Sequence, residues 1–215
     1  GYLREHRAAD EAVILVSGHM FPVFDYYLPD TPTVRLPPDR TLSTSHVLGY
    51  EIADTLNEAL AGKNGVWVVR WQDDVVDPND VLRMLLDGAG ESQAVDASFW
   101  HVGLEHYRLP EGVHLLDSPQ IAHETAASFG GMIRLLGWSQ PAADEYVLYW
   151  QAMQALNDDL AVSLRLVDDT GILWGQEDRR PAAYLYPTMR WKPGEITVGA
   201  GSLPVQAGAP PGEYW

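Results

Sequence analysis

The chain has 215 residues, 46% of them hydrophobic and 20% charged, an ordinary globular balance that excludes a charge-rich disordered polymer. Lys and Arg number 14 against 30 Asp and Glu, giving a formal charge of −16. A surface of that sign repels phosphate, which argues against nucleic acid as a partner and against electrostatic docking on anionic membranes. Cysteine is absent, so disulfides, thiolate metal sites and a cysteine nucleophile are ruled out, and an oxidising compartment is acceptable. Apolar runs such as Ala12 to Val16 and Gly65 to Val69 fall far short of the ~20 residues of a spanning helix.

In chain order, Ala12 to Val16 reads as a strand buried on both faces and ending at Ser17-Gly18. Pro22 to Tyr27 and Thr33 to Leu36 read as short extended pieces between prolines. Ser45 to Ala61 has the spacing of an amphipathic helix, capped from Ser43 to Ser45 and closed by Gly62. Gly65 to Trp71 is a second buried strand. Asp77-Pro78 is expected to cap and start another helix, with Val81, Leu82, Leu85 and Leu86 inward and Gly88 and Gly90 at its end. Phe99 to Leu109 alternates as a strand, and Val113 to Leu116 reads as one more. Strands and helices in this alternation predict βαβ units, a small three-layer α/β domain with a mostly parallel sheet over residues 1–120.

The composition then shifts. All seven histidines lie at or before His123, whereas the stretch from Pro119 carries five of the eight tryptophans and eight of the fifteen prolines. Met132 to Trp138, Glu145 to Ala152, Ala161 to Asp168 and Ile172 to Glu177 read as strands, with a hairpin turn at Asp168-Asp-Thr-Gly171. Regular strands with Pro/Gly corners predict an all-β, immunoglobulin-like sandwich over residues 121–215.

Catalytic templates are missing. There is no Gly-x-Ser-x-Gly elbow and no phosphate-binding Gly-Lys-Ser/Thr loop, and Gly199-Ala-Gly201 lacks a third glycine and a following helix. His123-Glu124 lacks the second histidine of a zincin, and the five-residue spacing of His101 and His106 puts them on opposite faces of a strand. No metal or cofactor is implied. The densest acids, Asp73, Asp74, Asp77 and Asp80, follow the second strand. They read either as a cation- or sugar-binding loop at the carboxyl end of a parallel strand or as helix-start acids in a solvated loop. Ser17, His19, Asp25, Tyr26 and Tyr27 follow the other strand, where His19 reads as a general base or as a loop histidine bonded to backbone. Trp191 and Tyr184 to Tyr186 lie in a loop-like stretch and are candidate sugar-stacking aromatics, while most strand tryptophans read as core.

Three stretches carry a resemblance: Ala12-Val-Ile-Leu-Val-Ser-Gly-His-Met-Phe-Pro-Val-Phe-Asp-Tyr-Tyr27, Gly65-Val-Trp-Val-Val-Arg-Trp-Gln-Asp-Asp-Val-Val-Asp-Pro78, and Pro187-Thr-Met-Arg-Trp-Lys-Pro-Gly-Glu195 with Pro210-Pro-Gly-Glu-Tyr214. Together with Tyr149-Trp-Gln-Ala152 they resemble the soluble region that follows the membrane helices in bacterial polytopic glycosyltransferases of the family 39, protein O-mannosyltransferase-like class. The resemblance implies that catalysis belongs to membrane loops outside these residues, so no catalytic residue carries over. It implies an extracytoplasmic domain tethered to the membrane-embedded part of the same polypeptide, positioning a protein acceptor or binding glycan. Its expected contacts are His19, Asp25, Tyr26, Tyr27, Asp73, Asp74, Asp77 and Trp191. Two other readings are an independent hydrolase or transferase using Ser17, His19, Asp73 and Asp74, and a secreted carbohydrate-binding or adhesion module.

Overall fold

The computed structural model describes residues 1–210, 212 and 214, and the chain divides into two units, Gly1–Ser118 and Pro119–Trp215. The first unit runs α1 (Tyr2–His6), β1 (Glu11–Val16), a 3-10 turn (Gly18–Met20), α2 (Phe21–Tyr27), β2 (Val34–Leu36), α3 (Ile52–Leu60), β3 (Gly65–Arg70), α4 (Asp73–Val76), α5 (Val81–Ala89), β4 (Glu91–Gln93) and β5 (Gly103–Arg108). Its five strands form one sheet in the order β2-β1-β3-β5-β4.

The two apolar runs are the centre of that sheet. Strands β1 and β3 pair in parallel, with Val13 opposite Trp67 and Ile14 opposite Val68. All six residues of β3 are buried, so both its faces are covered. Burying each apolar side chain of these strands contributes roughly 1.5–3 kcal/mol. On one face Val13, Leu15, Trp67 and Val69 pack with Met20 and Phe24, flanked by Tyr2 and Leu3 of α1. On the other, the Tyr107 hydroxyl of β5 donates to Asp87 of α5 at 3.0 Å, which fixes that helix against the opposite side. The sheet therefore carries helices on both faces.

The expected mostly parallel sheet is instead mixed: β2-β1-β3 is parallel and β3-β5-β4 antiparallel. The crossover through α5 does bring the chain back in the direction of β3, but one place too far out, as β4. Strand β5 then returns antiparallel and fills the gap, with Arg108 opposite both Gly65 and Glu91.

Other local expectations also change. Residues 21–27 form a helix rather than an extended piece, because Pro22 occupies the first turn, where its missing N–H costs nothing. The helix expected from Ser45 begins only at Ile52; Gly49 precedes it, and the side chain of Glu51 occupies the space beside that glycine. Asp77 caps α5 as expected but from a distance, since Pro78 lies in the turn before Val81. Residues 113–116 form no strand; the Asn57 side chain brackets the backbone of Leu115 at 2.7 and 2.9 Å, as a neighbouring strand would have done.

The second unit contains β6 (His123–Phe129), β7 (Ile133–Ser139), β8 (Glu145–Ala152), β9 (Val162–Val167), β10 (Leu173–Arg179) and β11 (Ile196–Ser202). These form two antiparallel sheets, β11-β8-β7-β6 and β10-β9. The turn between β9 and β10 closes at Gly171, whose φ of +85° needs glycine. Half-buried Asp168 sits across that turn, and the indole N–H of Trp174, the Thr170 hydroxyl and two backbone N–H groups hold its carboxyl down to about 2. Gly199 belongs to β11, not to a nucleotide loop: a Cβ there would meet the Pro181 carbonyl oxygen at 2.0 Å. Among the described residues no helix is long and apolar enough to cross a membrane.

Candidate functional site

Strands β1 and β3 end side by side at Val16 and Arg70, so the segments that follow them meet at one edge of the sheet. Ser17 is buried there, and its hydroxyl donates to the carbonyls of Trp71 and Gln72 at 3.2 Å each. His19 lies in the following 3-10 turn with its ring stacked on Trp71 at 5.3 Å, and its buried Nδ1 has no hydrogen-bond partner. Ser17 therefore splices the two strand ends, and His19 packs against an indole instead of activating a hydroxyl. Gly18 between them admits no side chain, because a Cβ would lie 2.0 Å from the Pro37 carbonyl oxygen. Asp25 pairs with Arg35 at 3.2 Å, while Tyr26 and Tyr27 stand exposed with their rings edge to face at 5.0 Å.

After β3 the acids do converge, but on a cation of the fold itself. The Arg70 side chain, 7% exposed, faces Asp80 at 3.1 Å, Glu105 at 3.2 Å, Asp73 at 3.3 Å and Asp77 at 3.7 Å. Asp74 has no part in the cluster and is exposed. Asp77 also accepts the backbone N–H groups of Val81 and Leu82 at 2.7 and 3.2 Å, capping α5. Burial works against the Arg70 charge, but the four carboxylates, Glu105 foremost, keep its pKa above the usual value. Asp77 goes the other way: burial raises it to about 7, against the pull of Arg70 and its two N–H donors. The two directions are compatible. One guanidinium shared among four carboxylates is secure, whereas the most deeply buried carboxylate receives only a fraction of it.

A raised folded-state pKa stabilises below the unfolded value near ~3.9 and loses that contribution as pH rises through the folded value. The stability supplied by Asp77 is thus expected to fall between about pH 4 and the folded pKa of about 7. Melting Asp77→Asn beside the parent across this range tests it, since the parent's Tm should drop relative to the variant's as pH rises. A pH-independent difference would mean that Asp77 stays ionised in the fold.

A second, half-buried acid–base pair lies on the sheet's other face. Glu11 accepts from the Ala8 N–H, Trp67 Nε1 and His106 Nε2, each at 2.8 Å, and the Trp67 and His106 rings stack at 4.1 Å. Burial pushes the Glu11 carboxyl up, but those three donors outweigh it and hold it below its ordinary range. No hydroxyl is bonded to the pair, so it joins β1, β3 and β5 without a nucleophile. His101, by contrast, lies outside β5 at a φ of +54°.

Trp191 is not a sugar platform. It is 3% exposed, with its indole N–H donating to the Tyr186 carbonyl at 3.1 Å. Tyr184 is the exposed ring of that stretch, at 77%, with the Arg180 guanidinium 4.6 Å from its centre. Among the described residues no group of three or more His, Asp or Glu is arranged to hold a metal ion.

Of the expected contacts only Tyr27 borders a further feature, an apolar cavity of about 350 Å³ beneath α1 and α2, floored by Met20, Phe24, Val69 and Leu104. Its lining comes from four separate segments, which no local spacing connects. Comparisons of the chain with protein-family models, with curated proteins and with solved structures return no match.

Proposed function

We propose that the chain is a non-catalytic, extracytoplasmic domain of a polytopic membrane glycosyltransferase, joined to the membrane-embedded part of the same polypeptide and offering a surface to glycan or to a protein acceptor. The observation that carries this reading is the commitment of the reactive side chains at the strand ends. The Ser17 hydroxyl is spent on two carbonyls, Asp25 on Arg35, and Asp73, Asp77 and Asp80 on Arg70. Such groups hold a scaffold together and have no free nucleophile–base pair to offer a substrate.

The resemblance of residues 12–27, 65–78 and 187–195 supplies the membrane context. Exposed Tyr26, Tyr27 and Tyr184 are the rings available for stacking on sugar faces. In this reading the two antiparallel sheets of the second unit are the layers of an immunoglobulin-like β-sandwich, a view supported by the Tyr146 hydroxyl of β8 donating to Glu177 of β10.

Purified protein is expected to turn over no aryl glycoside, aryl ester or aryl phosphate above the buffer rate. On a glycan array, any binding should fall in Tyr26→Ala or Tyr184→Ala. The reading frame upstream of Gly1 should encode apolar segments of ~20 residues. Turnover that disappears in His19→Ala would replace this reading with an independent hydrolase or transferase. A frame without apolar segments, together with retained glycan binding, would favour a secreted carbohydrate-binding module.

A further inference from the structure

The cavity beneath α1 and α2 has a chemistry that the strand-end residues lack. Its walls are almost wholly apolar, and three rim residues, Val23, Tyr27 and Phe99, are 59%, 66% and 44% exposed. Large side chains left open around a concave apolar chamber mark a place where apolar surface is covered by something else.

Beside it lies a smaller, more polar pocket of about 160 Å³ that shares Leu3, Arg4 and Leu28 with the chamber and adds Arg7 and Asp30. Arg4 is held in place by donating one N–H to the Tyr27 carbonyl at 2.6 Å, and Arg7 by donating to the Ala8 and Glu11 carbonyls at 3.2 and 2.9 Å. Arg35, Arg70, Arg83, Arg108, Arg179 and Arg180 each have a carboxylate within ion-pair distance. Among the described residues Arg4 and Arg7 have none, as is also true of Arg40, Arg134 and Arg165, but it is Arg4 and Arg7 that line this pocket, in a chain with 30 acids to 14 bases. Two guanidinium groups that stay unpaired under such an excess of acid, at the polar end of an apolar chamber, complement an anion with an apolar body.

We propose that the first unit binds a compact amphiphilic monoanion, its hydrocarbon or aryl body in the chamber and its carboxylate against Arg4 and Arg7. At ~30 Å³ per heavy group, a chamber of about 350 Å³ accepts a body of roughly a dozen carbons. The ligand enters as a single molecule, since a bilayer of anionic lipid is repelled by a protein of charge −16. This inference goes beyond the membrane-tethered reading and does not depend on it.

Calorimetric titration with octanoate, decanoate, dodecanoate and tetradecanoate, each below its micellar concentration, tests the proposal. Affinity should rise roughly three- to fourfold per methylene and level off once the chamber is full. Decanol should bind more weakly than decanoate, and decyltrimethylammonium more weakly still. Arg4→Gln combined with Arg7→Gln should weaken decanoate at least tenfold while leaving decanol unchanged. Val102→Trp, at a partly exposed wall position, should block both, with circular dichroism showing that the fold persists. Equal binding of anion and cation, or indifference to the arginine variants, would overturn the carboxylate assignment. Absence of binding by every chain length would overturn the site. Binding to phosphatidylglycerol vesicles that decanoate does not displace would point to a membrane surface and overturn the single-molecule ligand.

Discussion

Arg70→Met is expected to lower the unfolding free energy of the first unit by about 3–5 kcal/mol at pH 7, the range found when one partner of a buried ion pair is removed. Methionine fills most of the volume, so the loss is electrostatic. Asp77, fully enclosed, and Glu105 would be left without a cation, and Asp73 and Asp80 would crowd the same spot. Protonating these carboxylates removes the repulsion, so the deficit should shrink at pH 4. Arg70→Lys keeps the charge but reaches fewer partners, and should fall between parent and methionine variant. Urea unfolding followed by tryptophan fluorescence reads all three. A deficit under ~1 kcal/mol would place the cluster with ordinary surface ion pairs.

Trp191→Ala should cost the second unit about 3–5 kcal/mol, the usual cost of emptying a buried aromatic site. The indole lies beside Tyr186, itself 2% exposed, whose hydroxyl donates to Glu195 at 2.8 Å. Trp191→Phe should be milder, yet it removes the indole N–H that donates to the Tyr186 carbonyl. Thermal unfolding of both variants should show this order. Loss of sugar binding in Trp191→Ala would then report an unfolded domain and not a missing contact, so Tyr184→Ala is the informative control.

Much of the scaffold is written locally in the sequence. Strands β1 and β3 are continuous apolar runs, and the turn at Asp168 to Gly171 uses residues selected by its geometry. Glu145–Ala152 was legible because Tyr146, Leu148, Trp150 and Ala152 recur at every second position, on one face of the pleat. Strand β6 was not, since His-Glu-Thr-Ala-Ala-Ser-Phe is exposed at every position and presents no apolar stripe. Proline misled at Pro22, which breaks a helix only in its interior. At the strand ends, the run of aspartates was visible, but the cation that gathers them was not. An arginine closing the run Gly-Val-Trp-Val-Val-Arg70 looks like a strand's polar terminus, and its best partner, Glu105, is distant in sequence and brought near only by the pairing of β3 with β5. The Glu11–His106 pair is hidden for the same reason, and so is the cavity.

Strand β3 presents two incompatible inventories. Trp67 and Val69 point toward α1 and α2, and Val66, Val68 and Arg70 toward α5. Because side chains alternate, shifting its pairing by one residue would thrust a guanidinium into hydrocarbon and an indole among aspartates. Misaligned pairings of the sheet are thereby rejected at a single strand, which serves as an index mark for assembly: the loop between β4 and β5 can change length without confusing the alignment, whereas one residue inserted within 65–70 would scramble every layer at once.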